Sequence, residues 1–306
     1  VCQHVGYFLH QALGDITISG WLTPAVPLIM SFVGAYQLGP ERIEAYIALQ
    51  ITVGVIFIAL GAFGIAEKLI RIIPRPLKSG LIIGAGIGAL TGEYGITRSG
   101  IMLQHYPVSF FIGVPLLLFL LYSEKLKAYN LSAPNSFSAR ITQFGIVPGL
   151  IVVAFAAALF GEADIPVIRM GFLPLHAGEM LRDWSVVGLG FPKLSMFLSA
   201  IPLALVCFIL AFGEVVLAEE TVEDVRKKRP DEGIDFSSGR LICITGIRNI
   251  LHGFFAPTRG LSGPNWAAMT MAVSRRYENG VKAMYSLIGG AATFNLVRIF
   301  SIMFLP

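Results

Sequence analysis

The chain has 306 residues, of which 55% are hydrophobic and only 14% charged, with a formal net charge of +4 and a mean hydropathy of +0.72. A soluble domain carries about 25% charged residues, so these charges are too few to coat a water-facing surface, and an excess of +4 is no nucleic-acid signal. The apolar stretches are many and dispersed, which excludes a single anchor on a soluble domain and implies a polytopic membrane protein.

A spanning helix needs about 20 mostly apolar residues. Segment 21–36 is short and carries Pro24 and Pro27, while 45–66 is a clean span. Segment 79–94 is rich in glycine (Gly80, Gly84, Gly86, Gly88, Gly92), so another helix can approach it closely. Segments 108–122 and 145–161 follow, then the long 196–218 with Glu214, and 241–255 with Arg248. Segment 264–273 is a half-length helix, and 281–305 closes the chain. Cys2, Cys207 and Cys243 have no metal or disulfide spacing and the five histidines no ligand spacing, so neither a metal nor a cofactor is expected. The chain starts at Val1 rather than Met and stops at Pro306 in an apolar run; the expectation is a fragment lacking both ends of a longer protein.

Lys and Arg gather in 67–78, 123–144, 219–240 and 274–282. If each segment crosses once, these four loops share one side, and the positive-inside rule makes it cytoplasmic. The expected location is a bacterial inner (plasma) membrane.

Two pieces of sequence break the pattern in the same way. Gly20 to Pro24 and Gly260 to Pro264 both read Gly-x-x-x-Pro, and an apolar run too short to span follows each. With the crossings above, the two short segments point in opposite directions, as an inverted-topology repeat requires. The expected unit is a single transmembrane domain, 1–306, with 1–161 the end of a first repeat, 196–306 the start of a second, and 162–195 a connecting loop.

Helix starts at membrane depth present unpaired N–H groups that a substrate can satisfy and lipid cannot. Thr23 and the pair Ser262-Gly263 are expected to cap the two starts. Glu214 is an ionisable group inside a span, costing about 3 kcal/mol on insertion scales, and so marks function. Its carboxylate can accept from a substrate N–H or carry a coupled proton; the plain alternative is snorkelling beside Glu219 and Glu220. Asn265 can both donate and accept. Trp21 and Trp266 flank the breaks and can stack on a flat ligand or merely pack. Arg259 and Arg248 suit an anion, or Arg248 pairs with Glu214 or Glu93.

At these residues the chain resembles the nucleobase–ascorbate transporter family, the uracil and xanthine permeases. Ser19 to Pro24 is similar to that family's broken third helix, Ile73 to Gly80 to the opening of its fifth, Ile201 to Glu214 to its eighth, and Gly253 to Asn265 to its ninth and broken tenth. The resemblance implies an all-α fold of fourteen helices in two inverted sevens, of which about nine segments, two of them broken half-helices with short extended stretches, are present here. Two departures stand out. The family's acid in the eighth helix aligns with Leu210, one turn before Glu214, and its acid in the tenth aligns with Asn265. The expected function is secondary active transport of a small polar solute such as a nucleobase-like ring, by alternating access, coupled to protons or sodium. An inorganic anion or carboxylate carrier of the same fold is the alternative, and a non-transport membrane protein the second. The expected partners are the substrate, the coupling ion, the bilayer and, as an assembly, a homodimer.

Overall fold

The computed structural model describes residues 2–65, 101–142, 147–164, 176–257, 260–277 and 290–304, with a few single residues between them. The glycine-rich core of segment 79–94, Glu93, Arg259 and 281–289 lie outside the described residues.

The chain opens with helix α1 (Cys2–Ala12) and a two-residue strand β1 (Gly20–Trp21). A 3-10 turn (Thr23–Ala25) leads into the short helix α2 (Val26–Gly34), and α3 (Pro40–Ala62) follows. The middle of the chain holds α4 (Ile101–His105), α5 (Pro107–Tyr122), α6 (Glu124–Ser132), α7 (Phe137–Thr142), α8 (Val147–Leu159), α9 (Ala177–Trp184) and α10 (Val186–Leu189). Then come the 35-residue α11 (Leu194–Lys228), α12 (Ser238–Phe255), strand β2 (Ser262–Gly263), α13 (Ala267–Tyr277) and α14 (Ala291–Phe304). Among the described residues one order of elements, a helix, a strand, a short helix and a further helix, therefore occurs twice: α1–β1–α2–α3 and α12–β2–α13–α14.

Among the described residues α3 and α11 are long and apolar enough to cross a membrane, and a third span results if α5 and α6, bent by 51°, count as one. Burial on α11 suits lipid rather than water. Its small residues Ala200, Ala204, Ala211 and Ala218 face the core, while Leu198 and Leu205 stay about half exposed. Without a hydrophobic force to gather helices in lipid, close backbone approach through small residues does that work. The same device joins α3 to α12. A Cβ on Gly246 would sit 2.7 Å from the Gly54 carbonyl oxygen, and a Cβ on Gly54 would sit 2.7 Å from that of Gly246.

Helix starts follow local chemistry. Pro40 opens α3 at a position where no intrahelical N–H is needed. Ser237 accepts from Arg240 N at the start of α12. The start of α5 is capped from a distance: Glu162, just past α8, accepts from Val108 N, Ser109 N and Ser109 Oγ. Partial desolvation raises this carboxyl, but the hydrogen bonds outweigh it and hold Glu162 below its ordinary range.

Several sequence expectations change. Helix α1 has no counterpart among the nine segments, because 11 residues are too few for a spanning window. The expected loop 219–240 is helix as far as Lys228, since α11 outruns its apolar stretch. The pair Lys228–Asp224 and the basic residues of the last turn support the polar extension. The half-helix expected at 264–273 lies later, at Ala267–Tyr277, because residues 262–263 are extended. The connections 123–144 and 162–195, expected as loops, contain α6 with α7 and α9 with α10.

Gly246→Ala should lower the unfolding temperature in detergent, because overpacking costs about 1–3 kcal/mol and the atom met is backbone. Gly34→Ala, which meets nothing within 4 Å, is the control and should leave it unchanged. Equal melting of the two variants would remove close α3–α12 packing as a source of stability.

Candidate functional site

The two sequence breaks meet. Strands β1 and β2 pair antiparallel, with Gly20 opposite Gly263 and Trp21 opposite Ser262. Leu22 N donates to Leu261 O at 2.9 Å, and Trp266 N to Ile18 O at 2.6 Å, which extends the pairing beyond the strands. Proline and glycine stop each helix here, and the freed backbone groups find each other rather than water. Gly263 permits the contact: a Cβ there would lie 2.8 Å from Leu22 N and 2.7 Å from Glu214 Oε2.

Two residues of α12 seal one side of the strand pair. Asn249 accepts from Ser262 N at 2.8 Å and donates to Ser262 O at 3.1 Å, imitating a third strand on the edge of β2. Arg248, fully buried, spans both strands, donating to Gly20 O at 3.2 Å and to Gly263 O at 3.3 Å. Its Nη1 also lies 2.9 Å from His10 Nε2. A guanidinium can only donate, so Nε2 accepts and the imidazole proton sits on Nδ1, 3.0 Å from Asp15 Oδ2. Asp15 in turn accepts from Thr17 N and Thr17 Oγ1. The alternative of a direct Arg248–Glu214 pair is not what forms: among the described residues no carboxylate contacts Arg248 directly, and its charge reaches Asp15 through His10, while Glu93 lies outside the described residues.

The other side opens into a cavity of about 480 Å³. Tyr7, Trp21 and Trp266 supply aromatic walls, and Glu214, Asn265 and Arg298 the polar groups, with Thr23 at the margin. Glu214 Oε2 accepts from Asn265 N at 3.3 Å, so the carboxylate caps the second break; its Oε1 has no protein partner among the described residues. Asn265 Oδ1 accepts from Thr270 Oγ1 at 2.7 Å, and Nδ2 donates to Glu214 O at 3.3 Å. One amide hydrogen and one lone pair remain on Asn265 for a further partner.

Of the residues singled out in the sequence, Trp21, Thr23, Glu214 and Asn265 line one cavity. The two capping expectations fail. Leu22, not Thr23, flanks the 3-10 turn and makes no side-chain cap; Thr23 sits inside the turn and donates to Trp21 O at 3.3 Å. Ser262 and Gly263 belong to the strand, and the Ser262 hydroxyl lies 3.0 Å from His252 Nδ1 on the sealed side. A side chain caps only where its own backbone turns into helix, and both pieces stay extended first. Leu210, aligned with the family's acid, packs against the core, while Glu214 reaches the break. Arg259 lies outside the described residues.

Sequence reading passed over Tyr7, Asn249 and Arg298. Arg298 and Arg248 follow the rule that picked out Glu214, an ionisable group inside an apolar run. Tyr7 and Asn249 carried no such signal.

The helical fold with lipid-facing apolar helices is that of a transporter's transmembrane domain. No protein-family profile matches the chain. It superposes on the transmembrane domain of a cyanobacterium bicarbonate transporter, BicA, with a TM-score of 0.54 and 17% identity, over 99% of this chain and 73% of that one. At that identity the likeness shows the fold. Over 135 residues the chain is 30% identical to the guanine/hypoxanthine permease PbuG of Bacillus subtilis (strain 168), which covers 43% of this chain and 28% of the permease. The chain is therefore an integral membrane protein similar to both a nucleobase permease and a bicarbonate transporter.

Arg248→Met should destabilise the protein by roughly 3 kcal/mol, the scale for leaving buried carbonyls without donors. Thermal unfolding of the full-length protein in detergent measures it. A melting temperature equal to wild type would mean that the guanidinium does not hold the strands.

Proposed function

We propose that the protein is a secondary active transporter that binds a small, flat, polar solute, of the nucleobase kind, in the cavity beside the paired strands. The observation that carries this reading is the set of groups on that cavity. Aromatic walls suit a planar ring, and a carboxylate oxygen without a partner among the described residues suits a ring N–H. Glu214 accepts from the solute, Asn265 uses its remaining hydrogen and lone pair on it, and Trp21 and Trp266 stack against it. Similarity to a guanine/hypoxanthine permease supports the solute class.

The twofold order of elements supports an inverted repeat within 1–306, with breaks of opposite direction that share one binding site. Glu214 is also the group suited to carry a coupled proton, with sodium the alternative ion. Alternating access then moves the other helices about this site. The basic connections 67–78, 123–144, 219–240 and 274–282 face the cytoplasm of a bacterial inner membrane, although 123–144 contains α6 and α7, 219–240 is helix as far as Lys228, and 274–282 opens in the last turn of α13.

A second reading, anion transport, has one observation in its favour: a cationic side chain, Arg298, lines the cavity, and the matching fold includes a bicarbonate transporter. Against it stands Glu214 on the same cavity, which repels a small anion.

Uptake into proteoliposomes by the full-length protein separates the two. Radiolabelled hypoxanthine or uracil should accumulate with a proton or sodium gradient, and Glu214→Gln should cut the rate at least tenfold and remove its dependence on the proton gradient. Bicarbonate or sulfate uptake in the absence of nucleobase uptake would replace the first reading with the second.

A further inference from the structure

Glu214 and Arg298 approach the cavity from different helices, α11 and α14. Arg298 is half-buried, and rings surround it rather than carboxylates. Its guanidinium carbon lies 4.5 Å from the Tyr7 ring centroid and 5.4 Å from those of Trp266 and Phe294. Such distances give real cation–π attraction, which holds the charge in place without neutralising it. Its described hydrogen-bond partners are Asn295 Oδ1 at 3.4 Å and the Tyr7 side chain, which occupy only part of its five donors. Among the described residues no carboxylate pairs with it, Glu214 included. A planar donor fork held on a cavity wall with donors to spare is a recognition group for an oxygen.

We propose that Arg298, oriented by Tyr7, is the residue that selects for a ring oxygen, so that the cavity favours oxo-substituted heterocycles over their amino-substituted counterparts. The ligand then bridges two walls: a ring N–H faces the free oxygen of Glu214, and a carbonyl or enolate oxygen faces the Arg298 fork. An exocyclic amino group in place of that oxygen sets donor against donor, and sites built for one pattern reject the other strongly. This inference rests on the permease reading and goes beyond it, since flat-ring binding alone predicts no such preference.

Binding of hypoxanthine and adenine to the full-length protein in detergent, by scintillation proximity or calorimetry, tests it. Wild type should bind hypoxanthine at least tenfold more tightly than adenine. Arg298→Gln should weaken hypoxanthine binding at least tenfold and change adenine binding less than threefold, and Arg298→Lys should fall between. A structural role alone lowers both affinities together, so the ratio between the two ligands is the deciding quantity. If Arg298→Gln does not fold, Tyr7→Phe, which keeps the ring and loosens the fork, should still shrink that ratio. An unchanged ratio in the folded variants overturns the role of Arg298 and leaves the permease reading standing. A wild type that binds neither base, while binding bicarbonate, overturns the permease reading and this inference with it.

Discussion

Backbone pairing between Gly20–Trp21 and Ser262–Gly263 is the contact on which the rest of the architecture depends. Each strand is two residues long, far too short to persist alone, and each interrupts a helix inside an apolar protein. An unsatisfied N–H or carbonyl there costs several kcal/mol. Pairing across some 240 positions of sequence removes that cost on the facing edges. The outer edges are satisfied by side chains from one helix: Asn249 on β2 and Arg248 across both strands. Short strands are tolerated because another element finishes their hydrogen bonding.

The two sides of this strand pair differ in what their polar groups face: protein on one, a cavity on the other. On the sealed side, both terminal nitrogens of Arg248 meet acceptors and a chain runs from Arg248 through His10 to Asp15, with Thr17 closing it, although among the described residues the buried Arg248 Nε meets none. On the open side, among the described residues, Glu214 keeps one oxygen and Arg298 some donors without a partner. Buried hydrogen-bond networks rigidify a structure in proportion to how far they are satisfied. Groups with unused capacity on a cavity wall favour a ligand. The division is why we propose recognition for Arg298 and support for Arg248, although both are arginines in apolar helices and both lie 4.5 Å from the Tyr7 ring centroid.

What could be read from sequence follows from the range over which each signal acts. The breaks at Pro24 and Pro264 were legible because proline and glycine act on their own backbone. Glu214 was legible because a charge in an apolar run stands out against its neighbours. The boundary of α11 was not, since hydropathy marks where a helix leaves lipid and not where its hydrogen bonding stops. Thr23 and Ser262 were misread as caps because a cap depends on backbone direction, which two extended residues reverse. Helix α1 was missed for its length, and with it Tyr7 and His10. The link from His10 to Arg248 joins positions 238 apart, and nothing local in either sequence announces the other.

The most direct test is an experimental structure of the full-length protein in a lipid nanodisc with hypoxanthine bound. The account predicts ring density between Trp21 and Trp266, within hydrogen-bonding reach of Glu214, with β1 and β2 still paired behind it. Ligand density elsewhere in the domain, or Pro24 and Pro264 lying in separate unbroken helices, would contradict it.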